Sequence, residues 1–366
     1  MFCGNATFAQ DGYWIASGGG SWANGGNWDT ANGIAGGADN TAYFGFAREA
    51  TVSSYASFSL DAPQTIGNLF FTTQNGPGSW TFSCGTGGSL TLENSFGPPR
   101  ITITSPSLQV VLNADVAGDA GVEKAGPGTL ILSGANTYSG QTVVAGGQLN
   151  IAGSIGAGVT VSGGTLGGTG VIGGPVVVGS GGMLSLGNPS GSLTINNSLV
   201  LLPGSTTVVA LNPAVPSQAA VQGLSGVTLG GTLILSNIGS VSLGQAFSLF
   251  GSVPASGNFN SILPPPGPWL RWLFNPATGA LSVVSSASQP AFAAFHMNGG
   301  QLVLQMTSGP PGSPCYVIAT SDLGLPKPSW GRIGTNVFDM SGCFTSTNSA
   351  AGAGQVFVSA YIIPAP

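Results

Sequence analysis

Charge is what this chain has least of. Eleven Asp and Glu and six Lys and Arg stand in 366 residues, 5% of the chain with a net charge of −5, where ordinary soluble proteins carry about 25%. Between Ala125 and Ser321 the only formally charged side chain is Arg271. Glycoside hydrolysis needs paired carboxylates, and calcium-dependent elimination from a polysaccharide needs a carboxylate-held ion beside a base. That stretch excludes both, and no catalytic, cofactor-binding or metal-binding residue is expected in the chain. A nucleic-acid partner would want a basic face for its phosphates, and six scattered cations make none. Histidine occurs once, at His296. No G-x-S-x-G elbow in a strand-to-helix setting accompanies it, so an ordinary histidine beside a strand is the reading, not a member of a Ser/His/Asp triad. No run approaches the 18 or so uninterrupted apolar residues that a transmembrane helix needs. The opening M-F-C-G-N-A-T-F-A-Q lacks the basic and apolar regions of a whole signal peptide.

Glycine is what the chain has in excess: 62 Gly and 25 Pro, in a sequence that is 42% hydrophobic. Disordered chains are charged and poor in apolar residues, so the glycines mark corners. The stretch Gly126 to Ala152, G-P-G-T-L-I-L-S-G-A-N-T-Y-S-G-Q-T-V-V-A-G-G-Q-L-N-I-A, holds two short alternating runs, Thr129 to Leu132 and Gln148 to Ile151, each introduced by a Gly-rich corner. The phrase recurs around Leu90, Leu130, Leu149, Leu166, Leu184 and Leu233, which are taken as a core ladder. From Leu130 to Leu184 the steps are about 18 residues, too short for a unit to bury its apolar face alone, so the units stack as a solenoid. Strands that return once per coil lie parallel and in register, with Leu over Leu inside and Ser, Thr or Gln outside. The expected fold is all-β, a parallel β-helix. About ten coils at roughly 4.8 Å per rung would stack to about 45 Å.

Gly126 to Ile151, with Asn136-Thr137-Tyr138-Ser139-Gly140 at its centre, resembles the autotransporter-associated β-strand repeat of secreted bacterial passenger regions. Ser21-Trp22 to Asn27-Trp28-Asp29 with Asp39 to Phe44 is similar to the leader of such proteins, and Thr65 to Phe71 to their first coil. The resemblance implies a right-handed β-helix exported by a bacterium and displayed outside the cell or at its surface, without implying one activity. The roughly 80 residues that follow the repeats are too few for the strands of an outer-membrane barrel.

Along the chain, residues 1–48 read as an aromatic cap or extension, 49–284 as the solenoid, 285–290 as a Ser/Ala/Gln linker and 291–366 as a small antiparallel β domain. Trp14, Trp22, Trp28, Tyr43 and Phe44 are either the plug over the first coil or a face for glycan stacking and self-association. Trp269, Leu270, Trp272 and Phe274 are expected to close the lower end of the core. Asp11, Asp29 and Asp39 read as turn formers, because they lack the spacing of a calcium loop. Four cysteines in an exported chain suggest bridges. Cys315 with Cys343 is the favoured pair, worth about 3.6 kcal/mol by loop entropy; Cys3 and Cys84 are the other two candidates, and buried thiols the alternative.

The functional expectation is a structural surface protein, not an enzyme. The leading reading is an extracellular homo-oligomer assembled end to end into a fibre. The alternative is an adhesin that recognises surface glycans.

Overall fold

A repeat of about 18 residues with a glycine-marked corner before each alternating run has one way to satisfy its backbone, which is to hydrogen-bond to the coil before and the coil after. A computed structural model describes residues 10–29, 31–46, 55–73, 77–186, 192–211, 220–236, 239, 241–251, 253–267, 270–285, 291–299, 301–309, 314–339, 343–349 and 357–362. These form two units. One comprises Met1–Gly239, Ala246–Pro264 and Phe274–Leu281; the other comprises Ser240–Gln245, Pro265–Leu273 and Ser282–Pro366.

The first unit is a parallel β-helix. One long sheet runs from Gly12–Tyr13 through Gly37–Phe44, Pro63–Phe71, Arg100–Ile103 and Val122–Ala125 to Ala255–Gly257, and a second from Gly20–Ser21 through Tyr55–Leu60 and Gly78–Cys84 to Ser261–Leu263. A narrow third sheet joins Ala135–Asn136, Ser154–Ile155, Val171–Ile172, Leu193–Ile195 and Val221–Gln222. The middle coils therefore have three sides, visited in the same order on every turn. Burial alternates along the strands: in Thr129–Leu132 and Gln148–Ile151 the two leucines and Leu149 with Ile151 are inside, and the residues between them are half-exposed. Leu130 stands beside Leu149, Leu149 beside Leu166 and Leu166 beside Leu184.

The ladder is not as uniform as the glycine phrases suggest. Thr207 stands between Leu184 and Leu233 in the same column. Leu90 belongs to a different wall, where Val116 is its neighbour on one side and Gln64 on the other. It is buried like the rest, but the phrase that contains it falls on the first sheet, against the first half of Pro63–Phe71.

Coiling begins by Gly12, inside the segment expected to be a separate cap: Gly12 and Tyr13 pair in parallel with Ala42 and Tyr43, and Gly20 and Ser21 with Phe58 and Ser59. At the other end Phe250, Phe259 and Phe274 form a cluster with centroids 5.7 to 6.4 Å apart. Of the residues expected to close this end, Trp272 is buried and Leu270 and Phe274 half-buried; Trp269 lies outside the described residues.

The second unit contains two three-stranded antiparallel sheets. Gln301–Thr307 lies between Ala291–Asn298 and Phe344–Ser349, and Pro314–Thr320 lies between Gly331–Val337 and Phe357–Ile362. Met306, Cys315 and Phe338 form its buried cluster, with Phe344 and Ala360 packed against them.

Candidate functional site

Charge is so scarce in the coils that each charged or polar group inside them needs an account. Lys124 is fully buried, because Val122–Ala125 alternates and Lys124 takes the same inward parity as Val122. Among the described residues it has no carboxylate partner in the interior. Its ammonium donates instead to the carbonyls of Ala125, Gly126 and Gly146, at 3.0, 2.8 and 3.1 Å, so one cation ties two successive corners. Burial pushes it down to about 8, which leaves it charged at neutral pH. Asn136 does similar work on the narrow wall: its amide oxygen accepts from Val116 N–H, and its amide nitrogen donates to the carbonyls of Gly134 and Ser154. The buried Tyr138 hydroxyl meets the Thr142 hydroxyl at 2.7 Å. Asn136, Tyr138 and Thr142 lie in the stretch that the repeat pattern singled out and Lys124 two residues before it, and Lys124 and Asn136 stitch successive coils together.

Trp14, Trp22, Trp28 and Phe44, read as either a plug over the first coil or an exposed stacking face, are in the core, at most 1% exposed, and form no exposed face. The indole N–H groups are satisfied there, Trp22 by Ala35 O and Trp28 by Trp22 O, and the rings pack edge to face in the arrangement aromatic quadrupoles favour. Tyr43 has the opposite parity and is half-exposed. It stacks on Tyr13 at 4.5 Å, contacts Phe70 on the next coil at 5.7 Å, and Phe46 lies against all three. Tyr13 and Phe70 were legible from Tyr13-Trp14 and Phe70-Phe71, in which one ring of each adjacent pair must face out. The near-parallel rings of Tyr13 and Tyr43 occupy each other's faces, so the stack offers mainly edges to solvent.

A loop that composition did not reveal leaves the first sheet between two of its strands. Pro63–Phe71 is followed across the sheet by two short strands, Ser89–Leu92 on its first half and Arg100–Ile103 on its second, and the loop between them leaves the wall. Phe96 at its tip is 93% exposed. The loop is held at its base by Asp39, whose carboxylate accepts from both the N–H and the hydroxyl of Ser95 at 2.6 Å. These bonds hold the Asp39 carboxyl below the ordinary range. Asp39 takes the left-handed conformation, φ 66°, uncommon for a residue with a Cβ. Gly67 lies beneath the crossing, where a Cβ would collide with the Asp39 backbone and the Asn94 amide. Asn68 accepts from the Asn94 amide and from Arg100 N–H, and Arg100 is paired with Glu123 at 2.6 Å.

The cysteines form no bridge among the described residues. Cys84, Cys315 and Cys343 are thiols. Cys315 turns into the apolar cluster from one sheet, while Cys343 leads into a strand of the other and its N–H donates to the carboxylate of Asp339. Cys3 lies outside the described residues. No group of three His, Cys, Asp or Glu side chains among the described residues is placed to hold a metal. Among the described residues no helix is long and apolar enough to cross a membrane, which says nothing of β-barrels.

Residues 122–151 match the family described as passenger-associated-transport-repeat. Over 320 residues, 80% of its length, the chain is 34% identical to the protein named Adhesin BmaC autotransporter of Brucella suis biovar 1 (strain 1330). This is an autotransporter passenger repeat protein. Such passengers are secreted and exported to the cell surface, and the hydroxyl-rich outside and largely apolar inside of the coils suit that setting. The chain spans 8% of the length of its curated relative. The family match begins at Val122 and ends at Ile151, so it takes in Lys124, Asn136, Tyr138 and Thr142: the most recognisable coil of this passenger protein is the one with the buried polar stitching.

Proposed function

We propose that the chain is a length of surface-displayed solenoid with an adhesin-type, non-enzymatic role, in which the coils are the scaffold and the outgrowths make contact. The observation that carries this reading is the Phe96 loop. An almost fully exposed ring on a loop pre-ordered by Asp39 and Ser95 loses little freedom on docking, which is how small contacts acquire affinity. The relative's description as an adhesin supports the same role. Beads coated with the chain, applied to a glycan array and to arrayed extracellular proteins, test it: specific retention reduced at least tenfold by Phe96→Ser is the expected result, and retention indifferent to that change removes Phe96 from the contact.

Self-association is a second part of the proposal. The walls carry almost no charge to keep copies apart, and the earlier candidate surface of tryptophans is internal, so the contact must lie elsewhere. A glycan partner would be held through the hydroxyl-rich walls, and the array separates that outcome from a protein partner.

A further inference from the structure

The C-terminal unit leaves one strand unfinished. Ala291–Asn298 is the outer strand of its sheet, with Gln301–Thr307 on one side and no strand on the other among the described residues. Phe292, Phe295 and Met297 stand opposite Met306, Leu304 and Leu302, and residues directly opposite in an antiparallel pair share a face. The irregularity between Phe292 and Ala294 keeps Phe292 on that face despite the odd spacing. Leu304 and Met306 are 2% exposed, whereas Phe295 is 74% and Met297 58% exposed. The core face of the sheet thus runs on past its own core.

Edge strands of soluble proteins are protected by charge, proline or a bulge. Here the irregularity touches only the start of the strand, and Ala294 to Asn298 carries no charge and no proline. The occupant must supply a strand edge and an apolar face, and a second copy of this strand supplies both. Charge permits it: residues 291–366 hold Asp322 and Asp339 against Lys327 and Arg332, two of each sign and net zero, so two such units meet without repulsion. We propose that Ala291–Asn298 pairs antiparallel with the same strand of a second copy about a two-fold axis, bringing Phe295 and Met297 against their counterparts. This rests on the self-association reading and names its contact. It makes a closed, isologous pair, not an end-to-end fibre.

Sedimentation of the full chain tests it. The wild type should move from 36.1 kDa to twice that mass as concentration rises, and Phe295→Lys and Met297→Lys, each at an exposed position, should melt as the parent does yet associate at least tenfold more weakly. Amides of 291–298 should exchange more slowly in concentrated than in dilute wild type, and equally in the variants. A wild type that stays monomeric to its solubility limit overturns both this contact and self-association. Assemblies that form equally in both lysine variants overturn this contact while self-association stands. Protection of 291–298 that is independent of concentration means that the chain covers the strand itself, which also overturns it.

Discussion

A buried lysine with no buried acid is costly unless its protons find acceptors, and Lys124 finds three carbonyls. Its titration has a definite sign. In the fold it lies at about 8 against 10.5 ordinarily, so between those values the unfolded chain holds a proton that the fold has released, and stability rises with pH. Tyr138 runs the other way: burial raises it from 10.0 to about 12, so above its ordinary value the unfolded chain ionises first and stability falls. Thermal melts should therefore pass through a maximum near about pH 10, over a range of roughly a few kcal/mol at most. Lys124→Met should flatten the rise and Tyr138→Phe the fall. A profile unchanged by both substitutions would show that neither group is desolvated as described. Leu149 gives a plainer test. It is fully buried between Leu130 and Leu166, and Leu149→Asp would place an unpaired charge there. A loss of about 3–5 kcal/mol in denaturant unfolding is expected, and a variant that unfolds with its parent would contradict the register.

The informative elements are the irregular ones. Gly37–Phe44 bulges between Gly37 and Thr41, and that bulge carries Asp39 over Gly67 to reach Ser95. Asp39→Ala should release Ser95, seen as faster amide exchange at Ser95 and Phe96 with the coils otherwise intact. Gly67→Val should do more, because its side chain meets backbone: about 1–3 kcal/mol of overpacking, felt in the melting temperature as well as in the loop. If Gly67→Val leaves both unchanged, Asp39 and Asn94 do not cross there. The Asp39 clasp should also survive acidification below the ordinary aspartate value of 3.8, since Ser95 holds the carboxyl lower, and be lost only as pH falls through that depressed value.

At the scale of the whole molecule, the passenger-type β-helix was legible from a period near 18 and an alternation of two, because each is a geometric requirement of coils that bury one face and hydrogen-bond to their neighbours. The absence of Asp and Glu from Ala125 to Ser321 likewise left no carboxylate for chemistry along that stretch before any strand was placed. Tertiary structure decided what depends on parity and on distant neighbours. Whether Trp14 or Tyr13 faces the core turns on where a strand begins after its corner, and a shift of one residue exchanges the two. Lys124 is internal because it stands beside Ile101, an inward residue of the preceding coil, and not because of its type. Leu90 lies on another wall because its strand shares Pro63–Phe71 with Arg100–Ile103. The Phe96 loop stands out because Asp39, 56 residues earlier than Ser95, is brought beside it by stacking. Local sequence carries the repeat; the inside, the outside and the clasps are set by which coil lies next to which.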